Sequence, residues 1–141
     1  MNTQITEDYV SFETAKLLKE KGFCLSTKTA YNQQGIFNLC EGFTNGVKSL
    51  CNADFDRYYN SNFISAPTLQ MAMKWLREVH GLNVQPCIVR TIELKKAYNV
   101  TIYNNNCEQI KPHFGRNIFD GFKSYEQACE AAIKYCLTNL I

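Results

Sequence analysis

The chain has 141 residues, of which 45% are hydrophobic and 20% charged, with a formal net charge of +2. This balance fits a globular protein long enough to bury a core, and lacks the strongly basic character of a dedicated nucleic-acid binder. No run of about 18 apolar residues is present to form a membrane-spanning helix. The first eight residues have neither the basic nor the apolar region of a signal peptide, so a cytoplasmic location is expected.

In chain order, Ser11 opens a helix over 12–21 with Glu13 in its first turn and Lys19 and Lys21 in its last, which suits the helix dipole. Gly22 stands where a left-handed residue ends such a helix, with Phe23 folding back after it. Residues 23–31 and 36–43 read as strands around a turn at Asn32 to Gly35, and a further short strand follows at 47–51 after Thr44, Asn45 and Gly46. Residues 52–66 show no clean period. They read as an irregular aromatic loop, the place where a subdomain boundary would fall. Ala66, Pro67 and Thr68 open the second helix, whose Leu69, Ala72, Met73, Trp75, Leu76 and Val79 span a wide apolar arc. Gly81 ends it.

Strands are expected at 83–94 and 97–103, with Lys95 and Lys96 at the turn between them, followed by a polar stretch over 104–119. The last helix runs over 124–141. Ser124 with Gln127 fits a capping box, and Tyr125, Ala128, Cys129, Ala132, Ile133, Cys136 and Leu140 share one face. The pattern predicts a single α+β domain over 1–141, with three helices and antiparallel β hairpins in the order α-β-β-(β)-α-β-β-α.

Seven cysteines occur without any Cys-x-x-Cys pair, and the two histidines, His80 and His113, stand apart from them. Zinc sites usually draw ligands in closely spaced pairs, so reduced, mainly buried cysteines are expected, with no metal and no cofactor. Cys129 and Cys136 share a helix face but lie about 10 Å apart along the axis, too far for a mutual disulfide. His80 closes a helix, where imidazolium suits the dipole, and His113 reads as a loop residue. No glycine-rich phosphate loop is present. Asp54 and Asp56 bear a partial likeness to a calcium loop, but its turn glycine and terminal Glu are missing. Nothing groups a nucleophile with a base, so no catalytic residues are assigned and no enzyme activity is expected.

Three blocks carry a resemblance. They are residues 7–23, the sequence Ala-Pro-Thr-Leu-Gln-Met-Ala-Met-Lys-Trp-Leu-Arg-Glu at 66–78, and Ser-Tyr-Glu-Gln-Ala-Cys-Glu-Ala-Ala-Ile-Lys-Tyr-Cys-Leu at 124–137. Together they resemble a family of small uncharacterised proteins found in gut-bacterial genomes and their bacteriophages. The resemblance implies a phage or prophage accessory protein and supplies no activity, cofactor or site residue.

Function is therefore sought on the surface. Arg57, Tyr58, Tyr59 and Phe63 are residue types enriched at interface hot spots, which points to a non-enzymatic protein-binding module with a host or phage protein as partner. An exposed strand edge is the other place where such a partner would bind. The alternative is a nucleic-acid-binding module using Lys16, Lys19, Arg90, Lys95 and Lys96 as cations and Tyr98 as a stacking ring. Glu13, Glu20 and Glu93 interleave with those cations, which disfavours it. A weaker reading is an inhibitor of a bacterial defence system that sequesters a small ligand. The sequence leaves the oligomeric state open.

Overall fold

The computed structural model describes residues 4–93, 95–110 and 121–141. The chain forms two compact units, Met1–Leu69 and Gln70–Ile141. This division falls a few residues after the 52–66 stretch in which a subdomain boundary is expected. Each unit contains a three-stranded antiparallel sheet with helices, so the α+β class holds.

The first unit opens with α1 (Phe12–Glu20), capped by Ser11, whose hydroxyl accepts from the Thr14 N–H at 3.2 Å. Its end is a Schellman closure: the Phe23 N–H reaches the Leu18 carbonyl at 2.9 Å and the Gly22 N–H reaches Lys19 at 3.1 Å. Gly22, at φ 87°, supplies the left-handed turn. Phe23 is thereby folded into the core.

The sheet order is β2-β1-β3, with β1 at Thr29–Asn32, β2 at Phe37–Leu39 and β3 at Phe63–Ser65. The strands are shorter than the sequence pattern predicts. Residues 23–28 stay outside β1, and the expected strand at 47–51 reduces to a bridge between Thr27 and Leu50. Cys40 to Phe43 close the second expected strand as a single helical turn, α2 (Cys40–Phe43). The expected turn is present: the Asn32 carboxamide accepts from the N–H groups of Gln34 and Ile36, tying the hairpin.

Residues 52–66, expected as an irregular loop, instead form α3 (Asn52–Tyr58) and β3. The start of α3 is fixed by Asp54, whose carboxylate accepts from the Cys51 N–H at 3.0 Å. That bond holds the Asp54 carboxyl below its ordinary range. The carboxylate form is favoured in the folded chain, so this contribution is present above the unfolded pKa and fades as pH falls below about 4. The helix ends on two successive left-handed residues, Asn60 and Ser61, held by the Ser61 N–H on the Phe55 carbonyl at 3.0 Å. Around Phe55 the rings of Phe43, Tyr59 and Phe63 gather, with Phe43 and Phe63 stacked at 3.8 Å and 6°.

Asn52 ties these elements together. It is buried, donating to the Phe23 carbonyl at 3.1 Å and accepting from the Ser65 N–H at 2.9 Å. One amide thus joins the end of α1, the start of α3 and strand β3.

In the second unit, α4 (Leu69–His80, whose first residue lies at the boundary) buries Ala72, Met73, Trp75 and Leu76 and leaves Val79 exposed. It closes at Gly81, at φ 65°, whose N–H reaches the Arg77 carbonyl at 3.2 Å. A Cβ at Gly81 would meet only the movable end of the exposed Asn105 side chain, so it is the positive φ that favours glycine here. Strands β4 (Asn83–Arg90), β5 (Lys96–Tyr103) and β6 (Gln109–Ile110) follow in the order β4-β5-β6. Phe122 then bridges Tyr98 on the β6 side of β5. The terminal helix α5 (Tyr125–Tyr135) packs on β4 and β5, and continues as a π turn over Cys136–Leu140. Ser124 caps it as expected, accepting from the Gln127 N–H at 3.1 Å. Ala128, Cys129, Ala132, Ile133, Cys136 and Leu137 are buried. Small side chains on this face let the helix backbone approach the sheet. The described residues thus hold five helices where the sequence pattern predicts three, the additions being α2 and α3.

Three substitutions test this packing. Asn52→Ala orphans two buried backbone groups and is expected to cost about 2 to 4 kcal/mol in urea unfolding. Ser65→Ala, which removes a buried hydroxyl without a partner among the described residues, is expected to cost nothing. Equal losses from both would refute the bridging role of Asn52. Ala132→Leu overpacks α5 against the sheet and is expected to lower stability by about 1 to 3 kcal/mol; an unchanged melting temperature would exclude that contact.

Candidate functional site

The four residues expected to bind a partner divide into two pairs. Tyr59 and Phe63 are half-buried and belong to the cluster around Phe55, with Tyr59 edge-on to Phe63 at 6.3 Å. Their rings hold the fold. Arg57 and Tyr58 face solvent, the guanidinium lying 5.4 Å from the Tyr58 ring centroid and Tyr58 being 65% exposed. The spacing of aromatics in 55–63 does not separate these roles, because the helical period of α3 brings Phe55 and Tyr59, four residues apart, inward and leaves Arg57 and Tyr58 outside.

The first unit offers instead the outer edge of β2. In the hairpin the Asn32 N–H bonds the Ile36 carbonyl at 3.0 Å and the Cys40 N–H bonds the Lys28 carbonyl at 2.8 Å. Residues 36, 38 and 40 therefore turn their backbone polar groups toward β1. By alternation, Phe37 and Leu39 turn theirs outward. Their side chains share the face opposite Ala30. Phe37 is 41% and Leu39 56% exposed, with Ile36 beside them at 58%. Phe37 meets the Tyr9 ring at 4.8 Å and Tyr31 at 5.7 Å, so the stripe is anchored at one end. Beyond Leu39 lies a hollow of about 250 Å³ lined by Lys28, Leu39, Glu41 and Lys48. Neither lysine forms an ion pair among the described residues. The alternation of Phe37, Asn38 and Leu39 was the sequence signal for this edge.

The residues of the nucleic-acid alternative also fall into two groups. Lys16 pairs with Glu13 at 2.9 Å and Lys19 with Asp56 at 2.7 Å, both in the first unit. The Lys19 ammonium, by its hydrogen bond, holds the Asp56 carboxyl below its ordinary range. Arg90, Lys95, Lys96 and Tyr98 belong to the β4–β5 hairpin of the second unit. Arg90 pairs in register with Lys96, and the tip is closed by the Thr91 N–H on the Lys95 carbonyl at 2.9 Å. The Lys96 ammonium sits 5.5 Å from the Tyr98 ring centroid. A groove of about 770 Å³ opens there, and Lys123 and Phe122, unmarked by the sequence reading, reach it from the chain preceding α5.

All seven cysteines are free: Cys24, Cys87 and Cys107 are exposed, Cys51 intermediate, and Cys40, Cys129 and Cys136 buried. Burial pushes the Cys129 thiol up to about 11 and the Cys136 thiol up to about 12, and raises Cys40 as well. Among the described residues no group of three or more His, Cys, Asp or Glu is placed to hold a metal ion, and no helix is long and apolar enough to cross a membrane. His80 lies in the last turn of α4 with its ring 4.6 Å from Trp75; His113 lies outside the described residues.

Neither a protein-family model, a curated protein nor a solved structure matches the chain.

Because the thiolate is the reactive form, iodoacetamide at pH 8 is expected to label Cys24, Cys87 and Cys107 within minutes and to leave Cys129 and Cys136 unmodified until the chain unfolds. Mass mapping of the labelled peptides checks this. Early labelling of Cys136 would show that α5 opens in the folded state.

Proposed function

We propose that this protein is a non-enzymatic binding module of phage or prophage origin that captures an extended segment of a host or phage protein along β2. The observation that carries the reading is the coincidence of exposed apolar side chains on Phe37 and Leu39 with the outward N–H and carbonyl of Phe37 and the outward N–H of Leu39, whose carbonyl is taken up by the first turn of α2. Strand addition uses both: the backbone supplies affinity and alternate side chains supply selectivity. The hollow sets Lys28 and Lys48 against the one carboxylate of Glu41, an excess of positive charge that favours a partner with an acidic side chain just beyond its apolar pair. Charge complementarity there would fix the register of the added strand. The phage context comes from the resemblance carried by the 66–78 and 124–137 blocks.

Leu39→Pro isolates the backbone contribution. Leu39 has φ −79°, within the range of proline, and its N–H faces outward, so the ring removes a donor that the fold does not use. The variant is expected to keep its melting temperature within a few degrees while losing the partner recovered by affinity purification from phage-infected cells. Tyr58→Ala should retain it. Partner recovery unaffected by Leu39→Pro, or lost with Tyr58→Ala alone, would move the interface away from β2.

A further inference from the structure

We propose that the groove at the tip of the β4–β5 hairpin binds a phosphate-bearing ligand of nucleotide size, free or as part of a single nucleic-acid strand. Its described lining brings together Arg90, Lys95, Lys96 and Lys123 against one carboxylate, Glu93. Glu93 lies 3.2 Å from Lys95, with both side chains 76% exposed, and leaves the other three cations without an acidic partner among the described residues. Exposed ion pairs of this kind are weak, so Lys95 is also open to exchange its partner for a phosphate oxygen. Arg90 brings a planar fork suited to phosphate oxygens.

Charge alone would equally suit an acidic peptide. The apolar part of the groove decides between them. Phe122, half-buried, lines the groove with Val89 and Ala97, and Ile92 at the tip is fully exposed. A flat ring beside clustered cations matches a base beside its phosphate, because stacking tolerates any base while the cations follow the backbone. The volume of about 770 Å³ is in the range of small-ligand sites, well above that of an inorganic anion. By alternation Val89, Ala97 and Asn99 lie on one face of the strands and Arg90 and Lys96 on the other, so the groove draws its lining from both faces at the end of the hairpin.

This site is distinct from β2, and its test stands apart from that of the strand-addition reading. Fluorescence anisotropy of the full-length protein with a fluorescein-labelled ten-nucleotide oligothymidylate is the direct measurement. Neutralising three phosphates predicts a Kd that weakens roughly 20-fold between 50 and 200 mM salt. Arg90→Ala with Lys123→Ala is expected to weaken binding at least roughly tenfold with an unchanged circular dichroism melt, and Phe122→Leu to weaken it further without altering the salt slope. Lys16→Ala, in the first unit, should have no effect. Displacement of the oligonucleotide by ATP would assign the site to free nucleotides; resistance to ATP would assign it to a strand. Absence of binding by either probe at 50 mM salt, or equal losses from Lys16→Ala and the groove variants, would overturn the proposal.

Discussion

In the first unit, segments 29 and 13 residues apart meet at the carboxamide of Asn52. The Phe23 carbonyl and the Ser65 N–H are main-chain groups removed from water, and each needs a partner of opposite polarity. A single amide side chain, with one donor end and one acceptor end, satisfies both. Its position as the first residue of α3 then fixes where that helix begins, and hence that Phe55 points into the ring cluster. The Schellman closure at Gly22 and the Asp54 bond to Cys51 serve the same end, because each sets the position of a group that Asn52 must reach. Aromatic packing gives the unit its bulk of buried surface, but the amide selects which arrangement of that surface is formed.

The second unit relies on a different constraint. Its sheet is a long local hairpin whose register is set by pairing from Asn83 with Tyr103 to Arg90 with Lys96. The face that meets α5 carries Val100 and Ile102, and α5 answers with Ala128, Cys129 and Ala132. Small side chains on the helix and branched ones on the strand make a close contact that tolerates little added volume. The two buried cysteines behave as small hydrophobes there, with thiols that burial keeps protonated. The cations of the hairpin collect away from this contact, at its tip, where they need no compensation from the core.

Much of this architecture was legible in the sequence, for reasons specific to each element. Ser11 with Gly22, and Ser124 with Gln127, are local capping signals that do not depend on the rest of the chain. The helix at 69–80 and the strands at 83–103 carry long, regular apolar patterns. The failures lie where tertiary bonds overrode local pattern. Residues 52–58 have no apolar stripe because α3 is short and buries little beyond Asn52 and Phe55, and a buried asparagine reads as a loop residue. At the C-terminus, a strict 100° spacing places Leu140 on the buried face, whereas the π turn brings Leu137 inward and leaves Leu140 half-buried. Of the candidate surfaces, the hairpin cations were visible as a cluster. Lys123 was not, since only the bridge between Tyr98 and Phe122 carries it there. Tyr59 and Phe63 show the reverse: the right residue types for an interface, used as core because the end of α3 and the start of β3 bring their rings against Phe55.

The strand order β2-β1-β3 also has a consequence during synthesis. Strand β1 can pair with β2 as soon as the hairpin leaves the ribosome, but its other edge waits for Ser65, 35 positions after its partner Ala30. At roughly 5 to 20 residues per second, the 26 residues between Leu39, which completes the hairpin, and Ser65 keep that edge open for about 1 to 5 seconds. For that interval the nascent hairpin has two free edges and an uncovered Tyr31 and Phe37. The length of that window is thus set by the chain between two strands, and slower translation would lengthen the period in which the hairpin can pair with the wrong chain.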